Sequence, residues 1–213
     1  MRLIARCFLM LFFLTWAVAL AQEWELGAHG GFGYSWNPGV TSSAGSGSAG
    51  LKYGAAAGVV AGNNMYERVS GEMHYVYRSS PLKVTGAGQE AGFGGESHLV
   101  HYDLLYHTAD RDARVRPFLA GGAGIRFYRG TGTEAAFQPA ARFALLTKTE
   151  EIKALVSVGG GVKVAMSDSV YLRLEIRDYI TPFPKQVVAP APGAKLKGWL
   201  HDFVPMVGIG VRF

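Results

Sequence analysis

The chain has 213 residues, which is enough for one domain with a sizeable interior. It is 49% hydrophobic and 17% charged, whereas soluble domains carry about 25% charged residues. The formal net charge is +5, but the basic residues alternate with apolar ones and form no stripe, so no nucleic-acid partner is predicted.

Residues 1–21 have the parts of a cleavable secretory signal peptide. Arg2 and Arg6 form a positive beginning, and an apolar run of 13 residues follows at 8–20. Ala19 and Ala21 fit the small-x-small cleavage pattern, so the mature protein is expected to begin at residue 22. The apolar run is shorter than the about 20 residues of a spanning helix, which leaves a membrane anchor as the weaker alternative.

The single cysteine, Cys7, lies within this leader. The mature protein is therefore expected to have no disulfide and no thiol chemistry. No cofactor is predicted.

Every recognisable element after residue 22 has the alternating pattern of a β-strand. Eight strands are predicted, at residues 24–36, 51–61, 69–78, 98–107, 115–128, 154–165, 170–180 and 199–213. Helical periodicity is confined to residues 140–154, for which a short helix is an alternative.

The connections between these strands alternate between short and long. Those after the first, third, fifth and seventh strands are long, at 37–50, 79–97, 129–153 and 181–198, and they are rich in Gly, Ser, Ala and Pro. This alternation is typical of an up-and-down sheet that has short turns at one end and long loops at the other.

One face of the strands is apolar and the other carries both the charges and most of the glycines. Glycine weakens a strand and has no use on a solvent face, but long side chains that cross a crowded lumen need space opposite them. The charged face is therefore predicted to point into a barrel of about eight strands, which side chains just fill. The predicted lumen network comprises Glu25, His29, Glu72, His74, Arg78, His101, Asp103, Arg126, Lys163, Arg173, Glu175, Arg177, Asp202 and Arg212.

An outward apolar face requires lipid, and lipid requires a closed barrel without strand edges. Aromatic residues gather at the strand ends, as in the two girdles of a transmembrane barrel. The predicted girdles contain Trp24, Trp36, Tyr53, Tyr77, Tyr106, Phe127, Trp199 and Phe213. Residues 22–213 are thus predicted to form an all-β, eight-stranded, antiparallel up-and-down transmembrane β-barrel.

Three stretches carry a resemblance to a known family: "RPFLAGGAGIRFY", "VYLRLEIRDYI" and the terminal "VPMVGIGVRF". The chain resembles the small eight-stranded outer-membrane barrels of bacteria, which include the transmembrane part of OmpA, OmpX and the opacity-type proteins. The resemblance implies a monomer in the outer membrane that contacts lipid and lipopolysaccharide. It also implies recognition by the barrel-insertion machinery through the strand that ends in Phe213.

Glu72, His74, His101 and Asp103 are predicted to lie close together on neighbouring inward faces. A metal site or an acid/base pair is one interpretation, and a network that neutralises buried charge is the other. The network is favoured for these residues and for His29, because the spacing does not specify the convergence that a metal requires. No metal ligand and no catalytic residue is therefore predicted.

The long loops are the better candidates for function, because binding residues often lie on loops that a rigid scaffold holds. Residues 39–50, "GVTSSAGSGSAG", are predicted to be flexible. Residues 180–199 are rich in proline and lysine, and a solvated surface loop is favoured there over an ordered basic recognition loop.

The favoured function is non-enzymatic: a structural, adhesion or surface-interaction role through four long extracellular loops. The first alternative is a membrane-embedded enzyme that hydrolyses or transfers acyl chains of lipid A or phospholipid. His98 and His201 are predicted to point outward, yet no Ser-His-Asp/Glu set is recognisable beside them. A minor pore and a soluble lipocalin-like binder are further alternatives, and the binder would need the two strand faces reversed.

The alternation of inward and outward side chains also predicts which of two neighbouring substitutions damages the barrel more. Leu174→Arg is predicted to be more damaging than Arg173→Leu, because it places a charge in hydrocarbon.

Overall fold

The structure is a computed structural model that describes residues 23–196 and 198–213. The predicted signal peptide lies outside these residues. Among the residues described, no helix is long and apolar enough to cross a membrane. The strands are β1 (Glu23–Trp36), β2 (Gly39–Ser42), β3 (Gly45–Leu51), β4 (Gly54–Asn64), β5 (Val69–Ser79), β6 (Leu82–Gly86), β7 (Gln89–Phe93), β8 (Gly95–His107), β9 (Val115–Gly130), β10 (Ala144–Leu146), β11 (Glu150–Ala165), β12 (Val170–Pro182), β13 (Val188–Pro190), β14 (Lys195–Leu196) and β15 (Trp199–Arg212).

The eight longest strands close into a barrel in the order β1-β15-β12-β11-β9-β8-β5-β4. Each barrel strand pairs antiparallel with the next barrel strand in the chain, and β15 returns to pair with β1. Trp24 and Phe213 complete this closure with two backbone hydrogen bonds of 2.9 and 3.0 Å. The predicted eight-stranded up-and-down barrel is confirmed.

The two strand faces have the predicted orientation. In β12 the side chains of Leu174 and Ile176 are outward and 43% and 53% exposed, whereas Arg173, Glu175 and Arg177 are buried. The exposed set of large side chains around the barrel is likewise dominated by Val, Leu, Ile, Tyr and Trp. A lipocalin-like binder would have the reverse arrangement, so the fold does not support that alternative.

The bounds of the barrel strands differ from the predicted ones by up to four residues, and the alternative of a helix at 140–154 is wrong. The second barrel strand covers Gly54–Asn64 rather than 51–61, and Leu51 ends the separate strand β3. Residues 140–154 contain no helix but form β10 and the start of β11. Their apolar side chains Phe143 and Leu146 are buried above the barrel, so packing there overrides the weak helical pattern.

The long connections form small sheets of their own. Strands β14, β2, β3, β6 and β7 make a five-stranded sheet in that order, and β10 pairs with β13. We call residues 37–53, 80–94, 131–149, 183–196 and 198 the cap. The prediction that residues 39–50 are flexible is wrong, because β2 and β3 pair there from Gly39↔Ser48 to Ser42↔Gly45.

The cap has its own apolar core, which explains why these glycine-rich loops are ordered. The buried residues of this core are Val40, Ala49, Leu51, Leu82, Val84, Ala91, Tyr128, Ala140, Phe143, Ala144, Leu146, Phe183, Val187, Val188, Leu196 and Leu200. Tyr128 and Leu200 belong to barrel strands β9 and β15, so the core joins the cap to the barrel. Burial of this apolar surface offsets the entropy lost when the loops become ordered.

Ion pairs also join parts of the cap. Glu90 in β7 lies 2.9 Å from the Lys52 ammonium and 3.1 Å from that of Lys83. Its hydrogen bonds to these two ammonium groups lower the pKa of Glu90. The carboxylate therefore keeps its charge, and this cross-link, to a more acidic pH than an isolated glutamate would.

Replacing Phe143 with alanine should loosen the cap without unfolding the barrel. Phe143 is 1% exposed and lies in the cap core, so the cavity should cost about 3–5 kcal/mol of local stability. Limited proteolysis should then cut the cap residues faster, while the folded barrel keeps its fast gel mobility without heating. Phe137→Ala is the matched control, because Phe137 is 78% exposed, and equal proteolysis of both variants would contradict the prediction.

Candidate functional site

The barrel lumen contains a dense set of charges, which we divide into two clusters. The central cluster comprises Glu25, His29, Glu72, His74, His101, Asp103, Lys163, Arg173, Glu175 and Arg177, and all its members are buried. The outer cluster, nearer the cap, comprises Arg78, Arg126 and Asp202. Both clusters consist of residues that strand alternation predicted to point inward.

Arg173 organises the central cluster. Its Nη1 and Nη2 donate to Oε1 and Oε2 of Glu72 at 2.7 and 2.8 Å, and its Nη2 also donates to Glu175 at 2.8 Å. This bidentate geometry is among the strong charge-assisted hydrogen bonds of proteins. Arg173 thus bridges β5 and β12 across the lumen.

Two other cations extend the same network. Arg177 donates through Nη1 to Asp103 at 2.6 Å and through Nε to Glu175 at 2.9 Å. Lys163 pairs with Glu25 and lies 2.9 Å from Glu72 Oε1. The network therefore joins five strands, β1, β5, β8, β11 and β12, across the lumen.

Asp202 is the centre of the outer cluster. It accepts hydrogen bonds from Arg126 at 2.8 Å, from Ser35 at 2.8 Å and from Arg78 at 3.3 Å. Arg126 Nε also donates to Ser97 at 3.0 Å. With two cations for one carboxylate, the outer cluster has an excess of one positive charge.

Not every lumen side chain is polar, and alternation also identifies the apolar ones. Buried Ala56, Val76, Leu99, Leu155, Tyr179, Val204 and Met206 pack together inside the barrel. Val76 and Leu99 share the inward side of their strands with His74 and His101, so their position was readable from the sequence even though they were not singled out. Their bulk, together with the arginines, fills the lumen.

Inward glycines provide the space that the long side chains use. A Cβ added at Gly62 would meet Cγ of Glu72 at 2.8 Å, and one at Gly159 would meet Cδ of Arg177 at 2.7 Å. A Cβ at Gly161 would meet Cβ of Glu175 at 2.8 Å. These approaches are closer than real Cβ contacts, and at Gly159 and Gly161 the carbonyl oxygens of Ile176 and Leu174 would be closer still. Both the charged side chains and the backbone of the paired strand therefore exclude a Cβ there.

The rim with the short turns holds buried polar residues that are not in the predicted lumen network. His107 is fully buried and lies 2.6 Å from Ser70 Oγ, and Arg116 donates to Asn64 at 2.9 Å. Arg212, by contrast, was predicted in the lumen but is only half-buried at this rim, where its Nε donates to the Asp168 carbonyl at 2.6 Å. Because Arg212 ends β15, its long side chain reaches out to the adjacent turn instead of inward.

The predicted histidine and carboxylate group is brought together. His74 Nε2 lies 3.0 Å from Glu72, and His101 Nδ1 lies 3.1 Å from Asp103. The two imidazole rings stack with centroids 4.8 Å apart. Arg173 binds the Glu72 carboxylate and Arg177 binds that of Asp103. This arrangement suits the neutralisation of buried charge better than acid/base catalysis.

The two outward histidines each have one polar partner. His98 Nδ1 lies 2.8 Å from the Tyr75 hydroxyl, and His201 Nδ1 lies 2.8 Å from Asp178 Oδ2. Beside His98 a groove of about 850 Å³ opens between the barrel wall and the cap. Its apolar lining includes Val100, Phe127 and Ile152. Its charged lining includes Arg129, Lys153, Glu150 and Glu151, and Gln186 of the cap also borders it.

The aromatic residues predicted as girdles lie at the barrel ends and are exposed. Their exposed fractions range from 37% for Tyr77 and Phe127 to 76% for Tyr53, with Trp24, Trp36, Tyr106, Trp199 and Phe213 between. Tyr53 lies between β3 and β4 rather than within a strand.

No model of a known protein family matches the sequence, and no curated protein matches it significantly. The solved structure of Neisserial surface protein A is 13% identical, with a TM-score of 0.53, and covers 90% of this chain and 97% of its own. The N-terminal barrel of Pseudomonas aeruginosa OprF is 13% identical, with a TM-score of 0.48, and the match covers 90% of this chain and 97% of that barrel. Yersinia pestis Ail in complex with a heparin analogue is 11% identical, with a TM-score of 0.47, and the match covers 89% of this chain and 99% of Ail.

Neisserial surface protein A is a small outer-membrane β-barrel, and this chain has the same closed eight-stranded architecture. At such low identity the similarity establishes the fold alone. The chain therefore has the fold of a transmembrane β-barrel of the outer-membrane type.

Proposed function

We propose that this protein is a monomeric, non-enzymatic barrel of the outer membrane that acts at the cell surface through its cap. The observation that carries the proposal is the combination of a filled lumen with a folded cap over one mouth. Arg173, Arg177 and Arg126 cross the lumen in ion pairs, so solutes have little space to pass. The cap is the part of the chain that a rigid scaffold presents to the surroundings.

The barrel also supports the expected partners. Outward apolar strands suit lipid, and the exposed aromatic girdles suit the headgroup levels of a bilayer that contains lipopolysaccharide. The exposed terminal Phe213, paired with Trp24, is proposed as the element that the insertion machinery reads. An unidentified ligand is proposed for the cap, whose exposed Phe137 is an aromatic of the type that interfaces use as anchors.

The cap is expected on the outside of the cell and the short turns in the periplasm. The mature chain is expected to have no cysteine, so single cysteines can report this topology without background. Cysteines in place of exposed Ser46 and Ala135 in the cap should react with an impermeant maleimide on intact cells. Cysteines in place of exposed Asp112 and Ser167 in the short turns should react only after the cells are opened; the reverse pattern would invert the topology and end the proposal.

The surface role is tested by comparing binding and conductance. Cells displaying the barrel should bind one or more members of a panel of immobilised glycans and extracellular proteins, and Phe137→Ser or Phe143→Ala should weaken that binding. Whole-loop deletions are poor tools, because one sheet combines strands from three loops.

Purified barrel in planar bilayers should give no stable conductance steps. Steady pore currents without any cap-dependent binding would favour the pore alternative.

The groove beside His98 favours a second candidate, an enzyme or binder that acts on lipid. Its apolar side chains would hold an acyl chain and its charged side chains a headgroup. The Tyr75–His98 contact lacks an adjoining serine in the hydrogen bonds found among the described residues, which is why this candidate ranks second. Release of acyl chains from phospholipid or lipid A by the wild type, abolished by His98→Gln, would replace the first proposal.

A further inference from the structure

Three buried side chains from three different strands leave ligand-type atoms without partners at one place in the lumen. They are His29 of β1, His74 of β5 and Glu175 of β12, and one nitrogen or oxygen of each lies within 4.8 Å of the others. Both ring nitrogens of His29, Nδ1 of His74 and Oε1 of Glu175 have no hydrogen-bond partner. Buried polar atoms nearly always have partners, and none of these four atoms has a hydrogen bond to the described residues.

Neighbouring residues determine the tautomer of His74 and the orientation of the Glu175 carboxylate. His74 Nε2 lies 3.0 Å from Glu72 Oε2, and because a carboxylate only accepts, Nε2 carries the hydrogen and Nδ1 presents a bare lone pair. Glu175 is held through Oε2 by two arginines at 2.8 and 2.9 Å, whereas its Oε1 has no hydrogen bond and lies 4.0 Å from Nδ1 of His29. A carboxylate behind a histidine is the arrangement that orients imidazole ligands in metal sites and makes them more basic.

The charge of the central cluster also favours a cation. Its four carboxylates, Glu25, Glu72, Asp103 and Glu175, face three cations, Lys163, Arg173 and Arg177. The outer cluster has one surplus cation and the buried Arg116 also interacts with Glu25, but the central cluster by itself, with neutral histidines, has a surplus of one buried negative charge. Such a charge is costly unless it is paired.

We propose that His29, His74 and Glu175 bind one divalent transition-metal ion, and that zinc matches these ligands best. Two imidazoles and one carboxylate are a common zinc set, whereas magnesium and calcium prefer oxygen ligands alone. This set shares His74 with the Glu72, His74, His101 and Asp103 group but differs from it in Glu175, which has one oxygen held by arginines and one without a hydrogen bond.

The distances between the three ligand atoms allow either a zinc ion or a water molecule between them. Ligand atoms of a tetrahedral zinc site lie about 3.3 Å apart, so the three side chains must move inward. His29 has no hydrogen bond to break in doing so. A single water with hydrogen bonds of about 2.8 Å would bridge atoms about 4.6 Å apart, so water alone is the alternative that an experiment must exclude.

The site is deep inside the barrel, so metal should be supplied while the protein folds. The protein without a histidine tag is refolded into detergent with zinc, freed of excess metal by gel filtration and analysed by elemental mass spectrometry. The wild type should retain about one zinc per chain. Refolding with cobalt instead should give the intense visible bands of a four-coordinate site.

His29→Leu and His74→Leu should retain less than a tenth of the wild-type zinc. His107→Leu is the matched control, because it removes another fully buried histidine near the short-turn rim and should leave the zinc content unchanged. Gel mobility without heating checks that each variant is folded. Less than 0.1 zinc per folded wild-type chain, or equal zinc loss in the His107 variant, would overturn the proposal and leave water as the occupant; the cobalt spectrum of the wild type decides the question even if the variants do not fold.

Discussion

Replacing Arg173 with leucine should destabilise the folded barrel by about 3–5 kcal/mol. Arg173 donates to both oxygens of Glu72 and to Glu175, and all three side chains are buried. Its removal takes one positive charge away from the buried carboxylates of Glu72 and Glu175. An unpaired buried charge costs far more free energy than the loss of a surface ion pair. Unfolding in urea, monitored by loss of the fast-migrating folded form, should show a lower midpoint.

A second substitution separates charge from geometry at this position. Arg173→Lys keeps the positive charge but cannot make the bidentate contact with Glu72, so we expect an intermediate loss of stability. Combining Arg173→Leu with Glu72→Gln should recover part of the loss, because one stranded carboxylate is then removed. If Arg173→Leu were as stable as the wild type, the arginine would not be a brace and the central cluster would be redundant.

Replacing Leu174 with arginine should cost about 2–4 kcal/mol, because Leu174 faces outward from the part of β12 that lies within the bilayer. The adjacent side chain of Arg173 points to the opposite side of the same strand, so the two substitutions compare lipid and lumen at nearly equal depth. Folding yield into lipid vesicles is the most direct measurement. Leu174→Ile, which keeps an apolar outward side chain, is the control and should fold normally.

The expected order of these two effects differs from the order that alternation alone predicts. From the sequence, Leu174→Arg is the more damaging change, since the partners of Arg173 are unknown. In the structure Arg173 has two carboxylate partners, so its loss should be at least as severe. Normal folding of Leu174→Arg in lipid would show that this face of β12 does not meet hydrocarbon.

The sequence by itself determined the barrel and the side on which most strand residues lie, although Arg212 at the end of β15 is an exception. Alternation has a period of two and is a local property, so Leu174 and Arg173 could be assigned to opposite faces without knowledge of any other strand. Closure followed from the same pattern, because an outward apolar face in lipid permits no free strand edge. The alternation of short and long connections then gave the up-and-down order.

Only the tertiary structure decided how the long loops fold and which lumen residues meet. The cap depends on contacts among four loops that are far apart in the chain, and its core includes residues such as Val40 and Phe143 that lie in stretches without clear strand periodicity. The hydrogen bonds of Arg173 to Glu72, 101 residues away, likewise depend on strand register and on the depth of each side chain. Local pattern gives the direction of a side chain, whereas its partner is fixed by three-dimensional packing, and this is why the free ligand atoms of His29, His74 and Glu175 could be recognised only in the folded barrel.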